Sequence, residues 1–385
     1  MMGLVDAMCS QSHAKSVVEL SLESCFRRSY SAIFKALENY KPGEEDLANL
    51  AGPELPIPEQ RNFWLLGVDV TPQPRSYAQT LKEQGFCVST KCYLLEQTDH
   101  ISHQYSTVAL LPEKDKAHPA PWVVPLSVKR VNISEKKAMV GAAQIGTLLG
   151  NENLPFAGQL CVEVSDSDYS QPACLAANRE HYNFITIVRS RGNRVYYRKA
   201  SRISSGGAPK HYGETFCLKK PATWHSPDAE TTLPFTSRRG RSYQVSIQAW
   251  HNMLMRGKNK PKRIRMHLYP FTLVRIILLD DDQKPVFRHP LWLLVVGEQR
   301  HQLALPEIYQ SYTHHSDLEH FFRFGKQKLL LTHYQTPVLA REESWWHLVH
   351  LAYLQLWVVR NAASTFPDPG NATSQFIWPK FLPLL

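Results

Sequence analysis

Apolar residues at helical spacing mark three parts of the chain. Residues 16–40 carry them with charged residues between, which predicts one or two helices near the N-terminus. Residues 136–149 have helical composition, and residues 345–359 form a longer run that is rich in aromatic side chains and contains two histidines. Since this last run is shorter than the roughly 20 residues that cross a bilayer, we expect a buried helix of a soluble protein.

Continuous apolar runs bounded by turn residues predict strands instead. Five such runs lie at 62–70, 86–95, 104–111, 158–165 and 183–190. A short helix at 172–178 precedes the last of them. Their order is three strands, helix, strand, helix, strand. The sequence therefore predicts an α/β fold with a mixed sheet, in the order of the ribonuclease H-like fold.

Residues 192–296 have a different pattern, in which short β-branched and aromatic runs alternate with turns rich in Gly, Pro and Ser. We interpret this stretch as a β-rich insertion that interrupts the α/β fold. At the other end of the chain, three prolines within residues 52–58 predict an extended boundary after an N-terminal helical region. That region is either a reader of DNA ends or a set of packing helices.

Residues 312–331 form the predicted helix on which charge and chemistry converge. At about 100° per residue, five polar side chains fall within an arc of roughly 80°, beside an apolar stripe. They are Tyr312, His315, Glu319, Arg323 and Lys326. One carboxylate among cations suits a metal-bound acid beside phosphates. Alternatively, Ser316 and Glu319 form a capping box that merely begins the helix.

Two further acids lie where predicted strands end. Asp69 closes the first strand, where a buried acid is costly unless it is paired or metal-bound; the alternative is a strand end that faces a solvated turn. Asp166 and Asp168 follow the fourth strand. A ribonuclease H-like sheet would bring Asp69, Asp166 and Glu319 together. Three carboxylates can hold Mg²⁺ or Mn²⁺ ions for in-line phosphodiester chemistry.

Composition and charge add a partner to this picture. The chain has 385 residues, of which 43% are hydrophobic, and a formal charge of +10, which suits two or three globular modules with a polyanionic partner. Residues 188–265 hold 18 Lys and Arg against three acids. We expect these cations to contact the DNA backbone, with interleaved tyrosines stacking; a solvated hairpin face is the alternative. The candidates are Arg191, Arg194, Arg256, Lys258, Lys260, Lys262, Arg263 and Arg265.

The seven cysteines are scattered and include no C-x-x-C pair, which indicates reduced thiols in a cytoplasmic protein without a membrane span. A zinc site at Cys87, Cys92, His100 and His103 is a rival metal site. It is disfavoured because an offset of five along a strand places the two cysteines on opposite faces. The sequence also lacks a serine-hydrolase elbow and a phosphate-cradling GxxxxGK[ST] loop.

On these residues the chain resembles bacterial insertion-sequence transposases of the DDE type, in the branch with a β-strand insertion before the glutamate helix. That branch has a Tyr-x2-Arg-x3-Glu-x6-Lys signature, and Tyr312, His315, Glu319 and Lys326 occupy its positions. The motifs GVDVTPQPR and VSDSDYS resemble its two aspartate sites. The resemblance covers residues 60–335 and implies that Asp69, Asp166 (in preference to Asp168) and Glu319 are the catalytic and metal-binding residues.

The resemblance also implies contacts with DNA. Tyr312, His315 and Lys326 would contact phosphates near the transposon end. His315 stands where the signature has arginine, whose fixed guanidinium fork holds a phosphate better, so Arg323 could substitute. Trp292 would stack on a flipped base, the alternative being a core tryptophan.

We therefore expect a DNA transposase that cuts and joins transposon ends as a homodimer, with the double-stranded DNA of ends and target as its partner. The expected location is the bacterial cytoplasm, in association with the nucleoid. The alternatives are a DDE-type endonuclease that does not join DNA and an inactive, transposase-derived DNA-binding protein. The expected organisation is an N-terminal helical region (1–58), a ribonuclease H-like core (59–190), a basic β-rich insertion (191–300), the glutamate helix of the core (301–340) and a C-terminal helix and tail (341–385).

Overall fold

A computed structural model describes residues 1–11, 13–75, 78, 80–83, 85–88, 99–114, 120–200, 211–237, 240–257 and 264–363. Its N-terminal part is helical, as the sequence predicts, with α1 (Met2–Ser10), α2 (Ser31–Asn39) and α3 (Asp46–Ala51). α1 packs against the C-terminal helix α8 (Leu339–Ala363), and its apolar residues share a core cluster with that helix and the sheet. This placement favours packing as the role of the N-terminal region.

The ribonuclease H-like order of elements follows α3. The strands are β1 (Trp64–Pro74), β2 (Gly85–Val88), β3 (Asp99–Leu110), β4 (Val124–Val131), β5 (Cys161–Ser165) and β6 (Phe184–Arg189), with α4 (Lys137–Leu149) before β5 and α5 (Pro172–Leu175) before β6. The predicted mixed α/β class is confirmed. Residues 89–95 of the second predicted strand lie outside the described residues, and β4 was not predicted.

The β-rich region supplies β7 (Val195–Lys199), β8 (Tyr212–Cys217), β9 (Ala229–Thr236), β10 (Ser242–Met253), β11 (Phe271–Leu279) and β12 (Leu291–Val296). β7 and β8 form a small sheet of their own. The main sheet has the order β2-β3-β1-β5-β6-β12-β11-β10-β9, and β4 also pairs with β3. β9 to β12 thus continue the core sheet from β6, so the predicted β-rich stretch adds strands to that sheet, and its bounds as a separate unit (191–300) stay a prediction.

Residues of β1 alternate between two packed faces of the sheet. Leu66 and Val68 lie in one core cluster with Ile145 of α4, whereas Leu65 lies in the other with Leu318 of the glutamate helix. This period of two is what a central strand covered on both faces requires. The core thus holds helices on each side of β1.

The predicted helix at 312–331 is two helices, α6 (Leu305–Thr313) and α7 (His315–Lys328), which meet at His314. The Ser316 hydroxyl donates to the Thr313 carbonyl (2.9 Å), so the alternative capping box with Glu319 is not formed. The first turn of α7 is held instead by the buried Asp317, whose carboxylate accepts a 2.7 Å hydrogen bond from Lys114. Glu319 is therefore left without a structural role at the start of the helix.

A buried ion cluster ties α8 to the sheet. Glu342 of α8 accepts hydrogen bonds from Arg75 (2.7 Å) and Tyr105 (2.8 Å), and one of its oxygens lies 2.7 Å from His103 Nδ1. Burial opposes the charge of His103, but the hydrogen bond to Glu342 raises its pKa. His103 is thus engaged by a carboxylate, and Cys92 of the rival zinc site lies outside the described residues.

None of the helices in the described part of the chain combines the length and the apolar content that a membrane span requires.

Candidate active site

Adjacent parallel strands bring the first two predicted acids together. β1 pairs with β5, and Gly67 stands opposite Val164, so the same register sets Asp69 beside Asp166. The parallel β5–β6 pairing likewise sets Arg189, the last residue of β6, beside Asp166. Since the carboxyl ends of parallel strands meet at one edge of a sheet, these three residues lie along the same edge.

Asp69 is a half-buried carboxyl whose oxygen accepts a 2.7 Å hydrogen bond from the Val70 amide. Burial raises its pKa to about 6, and the negative charge of Asp166 adds to that rise, while His315 and Lys137 oppose it. A bound cation would stabilise the charged form of Asp69, which burial and the neighbouring carboxylate disfavour.

The structure distinguishes the two acids that follow β5. Asp166 caps a short 3₁₀ helix (Ser167–Ser170), in which its carboxylate accepts a 2.9 Å hydrogen bond from the Asp168 amide. Asp168 is itself ion-paired with Lys137 and Arg191. Burial opposes the ionisation of the Asp168 carboxyl, but the two cations lower its pKa. Within the described residues Asp166 has no such cationic partner, which supports its choice over Asp168.

Glu319 is exposed on α7, and Tyr312 lies on the preceding helix, α6. Burial raises the pKa of Tyr312 to about 12; Arg189 opposes the rise, and the charges of Asp166, Glu319 and Asp69 all add to it. The phenol therefore lies within electrostatic range of all three predicted acids. The charges of the three acids thus act on one side chain, and their meeting in one metal site stays a prediction.

His315 differs from the expected phosphate contact, because it is only 9% exposed. Its ring lies parallel to that of Tyr312 with 5.9 Å between centroids, and among the described residues its buried Nε2 has no hydrogen-bond partner. Lys326 donates a 2.6 Å hydrogen bond to the Thr71 hydroxyl of β1, and Arg323 is exposed one turn beyond Glu319. Of the predicted phosphate contacts on α7, Arg323 is thus the more accessible and His315 is a packed residue.

The donor chemistry of the site fits a divalent cation. Among the residues that the structure describes, no three His, Cys, Asp or Glu side chains are gathered closely enough to enclose a metal ion. Asp69 and Asp166 nevertheless offer neighbouring oxygen ligands, which hard cations prefer, and the charge of Glu319 acts on the same Tyr312 side chain as theirs. Mg²⁺ and Mn²⁺ both accept such ligands.

Trp292 is 3% exposed and is a core residue. Its ring packs against those of Phe216, Trp224 and Trp250 at centroid distances of 5.3 to 6.1 Å. This corrects the expectation that Trp292 stacks on a flipped base, because the ring is enclosed by other side chains. The packing alternative describes it correctly.

The predicted cationic contacts have different surroundings. Arg256 and Arg265 are exposed, Arg194 is half-buried, and Arg191 forms the ion pair with Asp168. Lys258, Lys260, Lys262 and Arg263 lie outside the described residues. The sequence interpretation missed Arg189 and Lys137 as site residues. Arg189 could have been found by the rule that identified Asp166, since it ends the apolar run of the neighbouring strand.

Comparison with known proteins gives one family and a distant structural likeness. Residues 2–257 match the family described as DDE superfamily endonuclease, a span that includes Asp69 and Asp166 and ends before Glu319. A chain of the Drosophila P element transposase strand transfer complex is 12% identical, with a TM-score of 0.24; the match covers 46% of this chain and 34% of that one. No curated protein matches the sequence.

Proposed function

Since the chain belongs to the DDE superfamily of endonucleases, we propose that it is a DNA transposase that cuts transposon ends and joins them to target DNA. The observation that carries this proposal is the strand register that sets Asp69 beside Asp166. Glu319 supports it, because its charge acts on the same Tyr312 side chain as theirs. Two half-buried acids at the carboxyl ends of adjacent parallel strands are suited to holding a cation.

In the proposed reaction, Asp69, Asp166 and Glu319 hold Mg²⁺ or Mn²⁺. When bound there, such ions would supply the Lewis acidity for activating water or a 3′-hydroxyl. Because the pKa of Asp69 is raised to about 6, its carboxyl would lose a proton on metal binding only below about that pH. Arg189 is exposed beside Asp166 and holds the scissile phosphate, while His315 packs behind Tyr312 and fixes the position of α7 next to the acids.

The proposed partner is double-stranded DNA at the transposon ends and at the target. Exposed cations of the β-rich region, including Arg256 and Arg265, contact its backbone, with Arg194 and the predicted Lys258, Lys260, Lys262 and Arg263 beside them. Arg323 and Lys326 of α7 contact phosphates nearer the acids. We further propose that two copies bring two ends together, and that the protein acts at the bacterial nucleoid.

The test incubates labelled transposon-end duplex with the protein, Mg²⁺ and a target plasmid. Joined products support transposition. Nicks without joining indicate the endonuclease alternative, and binding without cleavage indicates an inactive DNA-binding protein. The Glu319→Gln variant should lose cleavage, whereas Asp168→Asn should retain it because Asp168 is paired with two cations. Full cleavage by an Asp69→Ala variant would falsify the assignment of the acids.

A further inference from the structure

Aromatic and cationic side chains gather on one surface next to the β7–β8 sheet, away from the enclosed rings around Trp292. They come from separate segments: Tyr197 lies in β7, His211 and Tyr212 at the start of β8, Arg256 after β10, and His267 in a 3₁₀ helix (Met266–Leu268). We call these five side chains the ring surface. Because these segments are far apart in the sequence, the fold brings the five side chains together.

Each ring of this surface contacts the next ring in space. The Tyr197 and Tyr212 centroids are 5.2 Å apart, and the Tyr212 ring meets that of His267 edge-on at 6.3 Å. His267 and His211 stack in parallel at 3.8 Å. The Arg256 guanidinium lies over both tyrosines, 4.9 Å from Tyr197 and 5.8 Å from Tyr212. The result is a continuous row of π faces with a cation at one end.

The exposure of the ring surface separates it from a hydrophobic core. His211 and Arg256 are exposed, and Tyr197, Tyr212 and His267 are half-buried. The tyrosines are anchored, since the Tyr212 hydroxyl donates to the Met255 carbonyl (3.2 Å) and the Tyr197 amide donates to the Leu254 carbonyl (2.9 Å), just after β10. Aromatic rings held in fixed positions with part of their area in solvent have room for a ligand that stacks.

We propose that the ring surface binds unpaired DNA, with bases stacked on the His and Tyr rings and Arg256 on a phosphate. Bases within a duplex offer their π faces only to each other, so cations alone would serve for duplex DNA. Base–aromatic stacking tolerates any sequence and occurs in proteins that hold single strands. A guanidinium beside the rings adds the charge that a sugar-phosphate backbone requires.

This inference rests on the proposed function only in taking DNA as the partner. None of the five side chains belongs to the site of Asp69, Asp166 and Glu319. Binding to the ring surface can therefore be measured without metal and without cleavage. A protein that cleaves duplex DNA but lacks this binding refutes the ring surface alone, whereas a protein with this binding and no cleavage refutes the proposed reaction alone.

The experiment compares two labelled probes of equal charge by fluorescence anisotropy in buffer with a chelator. One is an oligothymidylate of about 12 nucleotides, and the other is an abasic strand of the same length. The full chain should bind the oligothymidylate about tenfold more tightly, because only that probe can stack. Equal affinity for the two probes would overturn the proposal, since charge would then account for all the binding.

Variants assign the difference to the ring surface. His211→Ala and Tyr197→Leu should each bring the affinity for oligothymidylate towards that for the abasic strand, and Tyr197→Phe should keep the wild-type preference. Arg256→Gln should lower the affinity for both probes alike. Tyr182→Ala, which removes a ring that is 62% exposed elsewhere, is the matched control and should change neither affinity. An unchanged preference in the exposed His211→Ala variant would refute the site even if Tyr197→Leu failed to fold.

Discussion

Asp69 illustrates how a proposed catalytic residue can reduce stability. In metal-free buffer, the Asp69→Asn substitution should raise the free energy of unfolding near pH 8 while abolishing DNA cleavage. The reason is that burial raises the pKa of this carboxyl from 3.8 to about 6, so ionising it in the folded protein is unfavourable. At about 1.36 kcal/mol per pKa unit, the penalty at high pH is at most about 3 kcal/mol.

The direction of the pH dependence follows from the two pKa values. Below pH 3.8 the carboxyl is protonated in both the folded and the unfolded chain and contributes nothing. Between 3.8 and about 6 the unfolded chain loses its proton first, so folded stability falls as the pH rises. The gain from Asp69→Asn should therefore grow from about 1.5 kcal/mol near pH 5 to about 3 kcal/mol near pH 8.

Urea unfolding of wild type and variant across this pH range measures the effect. Glu163, buried on β5, is the matched control, because burial raises its pKa to about 7 and its carboxylate accepts a hydrogen bond from Thr186 within the sheet. Glu163→Gln should also stabilise the protein at high pH, yet keep cleavage. Mg²⁺ should stabilise wild type and not Asp69→Asn. An Asp69→Asn variant that is less stable near pH 8, or equally stabilised at every pH, would refute the reasoning.

Three further predictions concern residues outside the metal ligands. Glu342→Gln should lower the free energy of unfolding by about 3 kcal/mol, because Arg75 and His103 would keep buried positive charge without a full counter-charge; chemical denaturation measures this loss. Trp292→Phe should change thermal stability but not the rate of duplex cleavage, since the ring packs in the core and does not meet DNA. Arg189→Ala should lower kcat/KM for cleavage about 10- to 100-fold, the size of a lost charge-assisted hydrogen bond, with an unchanged melting temperature.

The predictions for Glu342 and Arg189 have matched control variants, and that for Trp292 is compared with Arg189. Glu343→Gln removes a half-buried acid next to Glu342 and should cost less than about 1 kcal/mol, since its partner Arg130 is also bound by Glu83. Arg27→Ala removes an exposed charge distant from the acids and should leave kcat/KM unchanged. A larger cleavage loss for Trp292→Phe than for Arg189→Ala would contradict both of the corresponding assignments.

Much of the fold was predictable from periodicity, because its central strands are covered on both faces. β1, β5 and β6 are continuous apolar runs, and α4 follows its predicted range closely. β4 escaped prediction since Pro125 interrupts it and its second half is polar; the register shift in its pairing with β3 accommodates such a strand. The pairing of β12 with β6 could not be predicted from the sequence pattern, because tertiary contacts determine which strands are neighbours in a sheet.

The site was predictable as far as residue type and position on a strand allowed. Asp69 and Asp166 stand out as acids that interrupt or end apolar runs, and the register between their strands was a consequence of the fold. Periodicity continued through His314, so the break between α6 and α7 was not visible. The burial of His315 and Trp292 depends on elements far away in sequence, which no local pattern contains.

The continuous main sheet also has a geometric consequence for DNA. From β1, which carries Asp69, to β10, whose end meets the ring surface at Tyr197, the strand order has five steps. At about 4.8 Å for each step the two strands lie roughly 24 Å apart, and at about 20° of twist for each step they are rotated by roughly 100°. The proposed cleavage site and the proposed single-strand site would therefore face different directions, separated by the distance between these two strands. A DNA molecule that reaches both must bend or open between them.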